Sequence, residues 1–224
     1  GCRNIAVGTA SPIPGSAALL MQALTGGASR ASILGSNIHN PFNDGGPELF
    51  DRAGQGRVDA FFLGGGQIDG EANINLVSTG PYPEPDTRFP GSFGSAYLYF
   101  SVPRVILFRE EHSRRVFVDK VDFISAPGWS PAGVHRPGGP HALITSLCIF
   151  LYDKERHRFW LDGLLPGATL EQVRDNTGFD FDCPDDVGPV APPEPDRIAL
   201  IHSRIAEEIS ETYPEFARNR LDWQ

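Results

Sequence analysis

The chain has 224 residues, and 40% of them are hydrophobic, which is enough to bury the core of one large domain. Its formal net charge is −9, and it has no run of basic residues. Phosphate binding needs clustered Lys and Arg, so the composition argues against a nucleic-acid surface and favours a metabolic partner or substrate.

The cysteines are Cys2, Cys148 and Cys183, and their spacing is neither CxxC nor His-rich. The spacing therefore indicates neither a disulfide framework nor a metal site, and it fits a reducing cytoplasm. No apolar run reaches the ~20 residues that a membrane-spanning helix needs, so we expect a soluble, cytoplasmic protein with no membrane partner. The chain enters its first predicted strand almost at once, and we expect that further sequence precedes it.

Short β-rich runs alternate with helical patterns in the first third of the chain. Turn residues at 11–15 open the first helix. Residues 58–63 are apolar except for Asp59, and such a run is typical of parallel strands buried on both faces. In this part the sequence predicts strands at 4–8, 31–34 and 58–63, and helices at 16–24 and 48–53.

The later part of the chain continues this alternation. Thr169 is a residue type that caps helix N-termini, and Gly178 one that ends helices. The sequence predicts strands at 104–108, 116–118, 123–125 and 143–152, and helices at 170–177 and 197–210.

Alternating strands and helices predict an α/β fold with a mostly parallel sheet flanked by helices. We expect this domain to cover residues 1–184. Residues 185–196 are rich in Pro and Asp, which is typical of a linker. Residues 197–224 are predicted to form a C-terminal helical segment that packs on the domain or on a partner.

Several sequence blocks carry polar or glycine-rich motifs beside these elements. They are LGGGQIDGEANIN at 63–75, FPGSFGSA at 89–96, REEHS at 109–113, ALITSLCIF at 142–150 and PGATLEQVRDNTGF at 166–179. In this order the blocks resemble the β-type subunits of the family I CoA-transferases. The family pattern has an LGA-like turn before Gln, a GxGGA element, a strand ending in Glu-His, a VITxLxVF strand and a PGVT…TGF helix.

The resemblance implies a CoA-transferase-like fold, a CoA thioester as substrate, no bound cofactor or metal, and an α-type partner subunit in an α2β2 assembly. It extends to relatives that use the scaffold for other chemistry, such as the steroid-ring-opening acyl-CoA hydrolases and a glutaconyl-CoA decarboxylase. The transferases attack the thioester with a Glu in a turn after the second strand. That turn corresponds to residues 34–38, where Ser36 occupies the place of the Glu and no carboxylate lies between Ala31 and Asn43.

Residues of this turn are the predicted catalytic candidates. Ser36 is interpreted either as a substrate-lining residue or as a polar residue at a strand end. His39 is the titratable candidate, since imidazole exchanges protons near neutral pH, and the alternative is an exposed loop histidine. Asn37 between them is predicted to bind substrate or CoA.

The glycine-rich blocks supply further candidates for substrate or CoA binding. Gly64, Gly65 and Gly66 allow the backbone to approach a ligand closely, or form an ordinary strand-end turn. Gln67 is predicted to orient a substrate carboxylate or to satisfy backbone groups of the turn. Gly94 and Ser95 fall where the family has its double glycine.

A long Gly- and Pro-rich loop over residues 126–141 holds Trp129 and Arg136, and loops of this length are often functional. We predict that Trp129 stacks on an apolar acyl group and that Arg136 pairs with a carboxylate. The alternative is that the loop packs on the partner subunit. Glu111 and His112, near the end of a predicted strand, fit a buried hydrogen-bonding network or a catalytic role.

The leading hypothesis is the β-type subunit of a heteromeric enzyme that hydrolyses or cleaves a carboxylated acyl-CoA, with the catalytic acid or base supplied by the partner. One alternative is true transfer of CoA between carboxylic acids, which requires a carboxylate from elsewhere. Another is a non-catalytic scaffold subunit that completes the site of its partner.

Overall fold

The structure is a computed structural model that describes residues 1–224. Its strands are β1 (Asn4–Val7), β2 (Arg30–Ile33), β3 (Ala60–Leu63), β4 (Gln67–Ile68), β5 (Ile74–Asn75), β6 (Ser78–Thr79), β7 (Thr87–Arg88), β8 (Arg104–Arg109), β9 (Pro140–Thr145), β10 (Cys148–Asp153) and β11 (Arg158–Leu164). Its helices are α1 (Pro12–Leu24), α2 (Gly46–Gly54), α3 (Ser95–Ser101), α4 (Leu170–Asn176), α5 (Pro195–Leu200), a π-helical turn (Ile201–Ile205), α6 (Ala206–Ser210) and α7 (Pro214–Leu221). None of the helices is long and apolar enough to cross a bilayer.

Seven strands form one sheet in the order β11-β10-β9-β8-β3-β1-β2. Strand β1 pairs in parallel with β2 and β3, and β8 pairs in parallel with β9. Strand β10 runs antiparallel to β9 and β11. The predicted α/β class with a mostly parallel sheet is confirmed.

The chain divides into two compact units, of which the first comprises Gly1–Phe62 and Ala191–Gln224. Its core includes Ile33 of β2 together with Ile205 and Ile209 of the C-terminal helices, all with 0% exposure. A Cβ at Gly15 of α1 would lie 2.9 Å from Cδ1 of Ile209, so the two helices approach closely. The C-terminal helical segment is therefore part of this core, and the predicted division of the chain at residues 184 and 197 stays a prediction.

The second unit is Leu63–Val190 and contains β8–β11, α3 and α4. Aromatic rings fill its core, with Phe150 in contact with Phe159 and Phe179 at centroid distances of 5.9 and 6.1 Å. Such pairs add directional contacts to the apolar area that the rings bury. The helix start predicted at Thr169 is confirmed, because Thr169 Oγ1 accepts a hydrogen bond from the backbone N–H of Gln172 as part of a capping box.

The strand predicted over 143–152 is wrong, because the chain reverses between β9 and β10. The Thr145 hydroxyl accepts hydrogen bonds from the N–H groups of Leu147 and Cys148, which forms a tight turn inside a run that is apolar on both sides. The strands predicted at 116–118 and 123–125 are also wrong. These segments form no strand: Phe117 makes an isolated bridge with Ile68, and Ala126, which follows the second segment, makes one with Ile74.

Candidate functional site

The turn that follows β2, called here the β2 turn (residues 34–40), holds the predicted catalytic candidates. Ser36 is buried, with 4% exposure. Its hydroxyl oxygen accepts hydrogen bonds from the backbone N–H groups of Ile38 at 3.2 Å and His39 at 2.9 Å. Gly35 before it has φ of 91°, a left-handed conformation that glycine adopts without strain. Ser36 thus organises the turn from inside.

A carboxylate from the C-terminal helical segment lies on this turn. Glu211, just after α6, accepts 2.9 Å hydrogen bonds at Oε1 from the backbone N–H and the side-chain amide of Asn37. Its Oε2 accepts from the hydroxyls of Ser36 at 2.7 Å and Thr212 at 2.6 Å. Each carboxylate oxygen therefore has two donors.

These donors set the charge state of Glu211. Burial alone raises the pKa of this carboxyl, but the hydrogen bonds from Thr212, Ser36 and Asn37 outweigh burial and lower the pKa to about 2. Hydrogen bonds to the charged form stabilise it. Glu211 is therefore ionised at neutral pH, and it is a weak base.

His39 faces a second carboxylate of the same helical segment. Its Nε2 lies 3.7 Å from Oε2 of Glu208, and this buried nitrogen has no hydrogen-bond partner. The other carboxylate oxygen of Glu208 accepts a 2.6 Å hydrogen bond from Nε of Arg204. The β2 turn thus joins the predicted residues Ser36, Asn37 and His39 to Glu208 and Glu211.

The sequence did not indicate Glu208 or Glu211 as site residues. The hydrogen bond between Ser36 and Glu211 spans 175 residues, and local patterns carry no information on such a pairing. The one available signal was helical spacing. Glu208 and Glu211 are three residues apart, while Ile205 and Ile209 mark the buried stripe of the same segment.

The glycine loop after β3 is shaped by packing inside the second unit. A Cβ on Gly65 would lie 2.6 Å from Cγ2 of Ile74, and one on Gly66 would overlap the ring of Phe89. The N–H of Gly66 donates a 2.8 Å hydrogen bond to the carbonyl of Asn75. Gly64 is less constrained, with 3.3 Å between a Cβ and the carbonyl oxygen of Phe108.

Gln67 and the pair Gly94–Ser95 make internal contacts as well. The Gln67 side chain accepts hydrogen bonds from Asn75 Nδ2 at 2.8 Å and the N–H of Asp122 at 3.0 Å. Gly94 precedes α3, and the N–H of Ser95 donates a 2.8 Å hydrogen bond to the carbonyl of Ser92. A substrate-binding role for these residues stays a prediction.

Trp129 and Arg136 lie together, in the wall of a cavity of about 310 Å³. The Trp129 ring stacks on His157 at 4.5 Å, and the Arg136 guanidinium lies 5.3 Å from the ring centroid of Tyr99. Arg136 also donates to the carbonyls of Tyr99 and Gly138.

This cavity and the glycine loop of the same unit lie near opposite ends of β8. It includes Pro140, where β9 begins, and Pro140 is in register with Val105 near the start of β8. Gly64 lies instead beside Phe108, near the end of β8. The separation along the strand is about 10 Å. The structure therefore does not bring these two predicted binding regions together.

His112 belongs to a buried network at the carboxyl ends of β8 and β9. Its Nδ1 lies 2.8 Å from Oγ1 of Thr145, and its Nε2 lies 2.9 Å from Oγ1 of Thr177. Burial lowers the pKa of His112 to about 4, so the ring is neutral at pH 7. The geometry favours the structural interpretation of this residue.

A mostly parallel α/β sheet with polar and glycine-rich turns after its strands defines a protein of the class that binds ligands at strand ends. No group of three or more His, Cys, Asp or Glu side chains has the arrangement of a metal site. Residues 4–176 match the model of the coenzyme A transferase family. The chain belongs to this family of enzymes.

The similar proteins are B-type subunits of two-subunit enzymes. The chain is 41% identical over 130 residues to the B-type subunit of a 3-oxoadipate CoA-transferase from Pseudomonas knackmussii, covering 55% of this chain and 50% of that one. It is 36% identical over 151 residues to the B-type subunit of glutaconate CoA-transferase from Acidaminococcus fermentans, covering 64% and 56%. It is 30% identical over 158 residues to the IpdB subunit of a cholesterol ring-cleaving hydrolase from Rhodococcus jostii, covering 69% and 62%. The chain thus spans about half the length of the first two relatives.

Solved structures share the fold. Glutaconate CoA-transferase from Acidaminococcus fermentans superposes with a TM-score of 0.78 at 24% identity, covering 96% of this chain and 90% of that one. The decarboxylase AibA/AibB superposes with a TM-score of 0.75 at 24% identity, covering 98% and 90%. The CoA-transferase-like fold expected from the sequence is confirmed.

Proposed function

We propose that this chain is the B-type subunit of a two-subunit enzyme that hydrolyses or cleaves a carboxylated acyl-CoA without forming a covalent CoA intermediate. An A-type subunit of related fold supplies the catalytic acid or base. This chain supplies the wall of the substrate site around the β2 turn. The similarity to the IpdB subunit of a ring-cleaving hydrolase supports this choice of reaction.

One observation carries the proposal, namely that the β2 turn has no carboxylate ready to attack a thioester. Residues 34–40 include neither Asp nor Glu. The one carboxylate that reaches Ser36 and Asn37 is that of Glu211, and donors from Ser36, Asn37 and Thr212 occupy both of its oxygens. A carboxylate nucleophile needs a free lone pair directed at the thioester carbon, so covalent transfer lacks its reagent in this chain.

Transfer of CoA between two carboxylic acids is the second candidate. The identities of 41% and 36% to B-type subunits of CoA-transferases favour it. It would require that the nucleophilic carboxylate come from the A-type subunit. The acyl group would then pass through a mixed anhydride, and the CoA thiolate would displace the acid to give a thioester on the enzyme.

The experiment that separates these candidates is an assay of this chain co-expressed with its A-type subunit. A panel of carboxylated acyl-CoAs is supplied with and without a free acceptor acid, and loss of substrate is followed by chromatography. The proposed function predicts equal turnover in both conditions, because water rather than an acid completes the reaction. Turnover that requires the acceptor, together with a hydroxylamine-sensitive adduct on either of the two chains, would overturn it in favour of transfer.

A scaffold role gives a different result in the same assay. Ser36→Ala and His39→Ala are compared with wild type in the complex with the A-type subunit. Because the proposed substrate wall includes the β2 turn, at least one variant should lose about tenfold or more in kcat/KM. Unchanged turnover in both would leave this chain as a scaffold.

A further inference from the structure

We propose that Glu211 is a positioning residue of the active site: its carboxylate holds the β2 turn in the conformation that faces the acyl-CoA, so that the C-terminal helical segment forms part of the site. The inference rests on the proposed function. It assigns to Glu211 a role that operates through Ser36 and Asn37 and involves no contact with the reacting atoms.

The contacts show how the turn is held. The carboxylate of Glu211 fixes Asn37 through its backbone N–H and its side-chain amide, both at 2.9 Å. It also orients the Ser36 hydroxyl at 2.7 Å. Because Ser36 donates its proton to Glu211, its oxygen is left to accept the backbone N–H groups of Ile38 and His39. One carboxylate therefore holds the conformation of the four successive residues 36–39, either directly or through Ser36.

The hydrogen bonds that Glu211 accepts exclude a role as general base or as nucleophile. A general base works best with a pKa near the operating pH. The hydrogen bonds lower the pKa of Glu211 to about 2, even though burial opposes them. A nucleophile needs an uncommitted lone pair, and each oxygen already has two donors. A carboxylate that is fully hydrogen-bonded and always charged is suited to holding structure.

The helical segment that leads into Glu211 is itself fixed. Ile205, Ala206 and Ile209 have 0% exposure and pack in the same core as Ile33, the last residue of β2. Both the start of the β2 turn and the carrier of Glu211 are therefore anchored in one core. The backbone that carries the carboxylate is therefore held beside the turn, and the hydrogen bonds from Ser36, Asn37 and Thr212 hold the carboxylate itself.

The experiment compares Glu211→Gln with Glu207→Gln in the full chain in complex with the A-type subunit. Glu207 lies on α6, four residues before Glu211, is exposed, and loses the same charge, which makes it the matched control. Gln at position 211 keeps the shape of Glu but replaces one acceptor oxygen with a donor, which opposes the donors of Ser36 and Thr212. We expect kcat/KM for the acyl-CoA to fall about 10- to 100-fold in Glu211→Gln and to stay at the wild-type value in Glu207→Gln.

A double-mutant cycle shows whether Glu211 operates through the turn. If it does, Ser36→Ala and Glu211→Gln are not additive, and the double variant loses no more activity than the worse single variant. Hydrogen exchange should show faster exchange in Glu211→Gln at the amides of Asn37 and His39, beyond the general increase that its lower global stability causes. If Glu211→Gln only lowered the fraction of folded enzyme, kcat would fall in proportion to that fraction and KM would stay unchanged. That result would overturn the positioning role.

The outcomes separate this inference from the proposed function. Wild-type kinetics in Glu211→Gln would overturn the inference alone. A wild-type complex that requires an acceptor acid would overturn the proposed reaction, and the same variants would then be compared by their rates of CoA transfer. A complex that neither binds nor consumes any acyl-CoA, as measured by calorimetry and chromatography, would overturn both.

Discussion

The hydroxyl of Ser36 donates a 2.7 Å hydrogen bond to the carboxylate of Glu211 across 175 residues of sequence. This contact joins the turn after the second strand to the C-terminal helices. It places a negative charge, in a fully hydrogen-bonded state, on the turn to which the sequence analysis assigned the catalytic candidates. The relationship has consequences for acid stability and for redesign of the turn.

The stability of the protein should depend on Glu211 at low pH. Hydrogen bonds lower the pKa of Glu211 from 4.5 to about 2, so the folded state binds the proton less readily than the unfolded state. This contribution is present above pH 4.5 and is lost as the pH falls towards 2. Glu211→Gln should therefore be less stable than wild type at pH 7, and the difference should shrink below pH 4.5. Urea unfolding at a series of pH values measures this difference.

Glu207→Gln serves as the control for that series. Because the carboxylate of Glu207 is exposed, Glu207→Gln should have the same unfolding free energy as wild type at each pH. A constant difference between wild type and Glu211→Gln from pH 7 to pH 2.5 would contradict the assignment of the low pKa to these hydrogen bonds.

His112 should make stability depend on pH in a higher range. Thr177 Oγ1 donates its proton to the carbonyl of Val173 at 2.6 Å, so it accepts a hydrogen bond from the Nε2–H of His112. Nδ1 of His112 then carries no proton, and it accepts a 2.8 Å hydrogen bond from the hydroxyl of Thr145. Protonation of Nδ1 would disrupt this arrangement. Burial lowers the pKa of His112 to about 4, so its contribution to stability is present above pH 6.5 and is lost as the pH falls towards 4.

The matching experiment uses His112→Gln. At pH 7.5 the variant should lose about 1–3 kcal/mol of unfolding free energy, because the buried Thr hydroxyls lose a partner. Between pH 6.5 and 4 the gap between wild type and variant should narrow, as followed by urea unfolding. A gap that widens as the pH falls would show that the ring is charged in the folded state.

Close packing in the glycine loop should make alanine more destabilising at Gly65 than at Gly64. In Gly65→Ala the new Cβ would lie 2.6 Å from Cγ2 of Ile74 and 3.0 Å from the carbonyl oxygen of Gln67, whereas in Gly64→Ala the nearest atom is the carbonyl oxygen of Phe108 at 3.3 Å. We expect Gly65→Ala to lose about 1–3 kcal/mol of unfolding free energy and Gly64→Ala less than about 1 kcal/mol. Chemical denaturation of the isolated chain measures both. Equal losses would show that close packing does not explain this loop.

The parts of the fold that follow from the sequence are those fixed by local patterns. The mostly apolar run at 58–63 predicted β3 because a strand buried on both faces is apolar on both. Ala60 and Phe61, which point to opposite faces, are indeed both buried. The same rule failed at 143–152. There the turn between β9 and β10 depends on the Thr145 hydroxyl, and periodicity does not register one side-chain hydrogen bond.

In the candidate site, too, local patterns predicted some residues and missed others. The motif located the β2 turn and its polar residues, because these are consecutive in the chain. The partner carboxylate of Glu211 was missed, since its position depends on how Ile205 and Ile209 pack in the core. The residues near Ser36 carry no information on such long-range packing.

The β2 turn should accept a new carboxylate at one position and reject it at the next. Ser36 is 4% exposed and lies at hydrogen-bonding distance from Glu211. In Ser36→Glu two carboxylates would share this buried position, and the N–H groups of Ile38 and His39 would lose their acceptor. We expect a loss of about 3 kcal/mol or more in unfolding free energy, because an unpaired buried charge is costly.

Gly35 offers the tolerated alternative. It is exposed, and a Cβ there would meet only Cγ2 of Thr9 at 3.7 Å. Its φ of 91° should cost a side chain about 1–2 kcal/mol. Gly35→Glu should therefore fold and present a free carboxylate at the turn, with Gly35→Gln as the control that has equal strain and no charge. In complex with the A-type subunit, Gly35→Glu but not Gly35→Gln should form a hydroxylamine-sensitive adduct with an acyl-CoA, as detected by mass spectrometry. The same adduct in Ser36→Glu at wild-type stability would contradict the placement of Glu211 against Ser36.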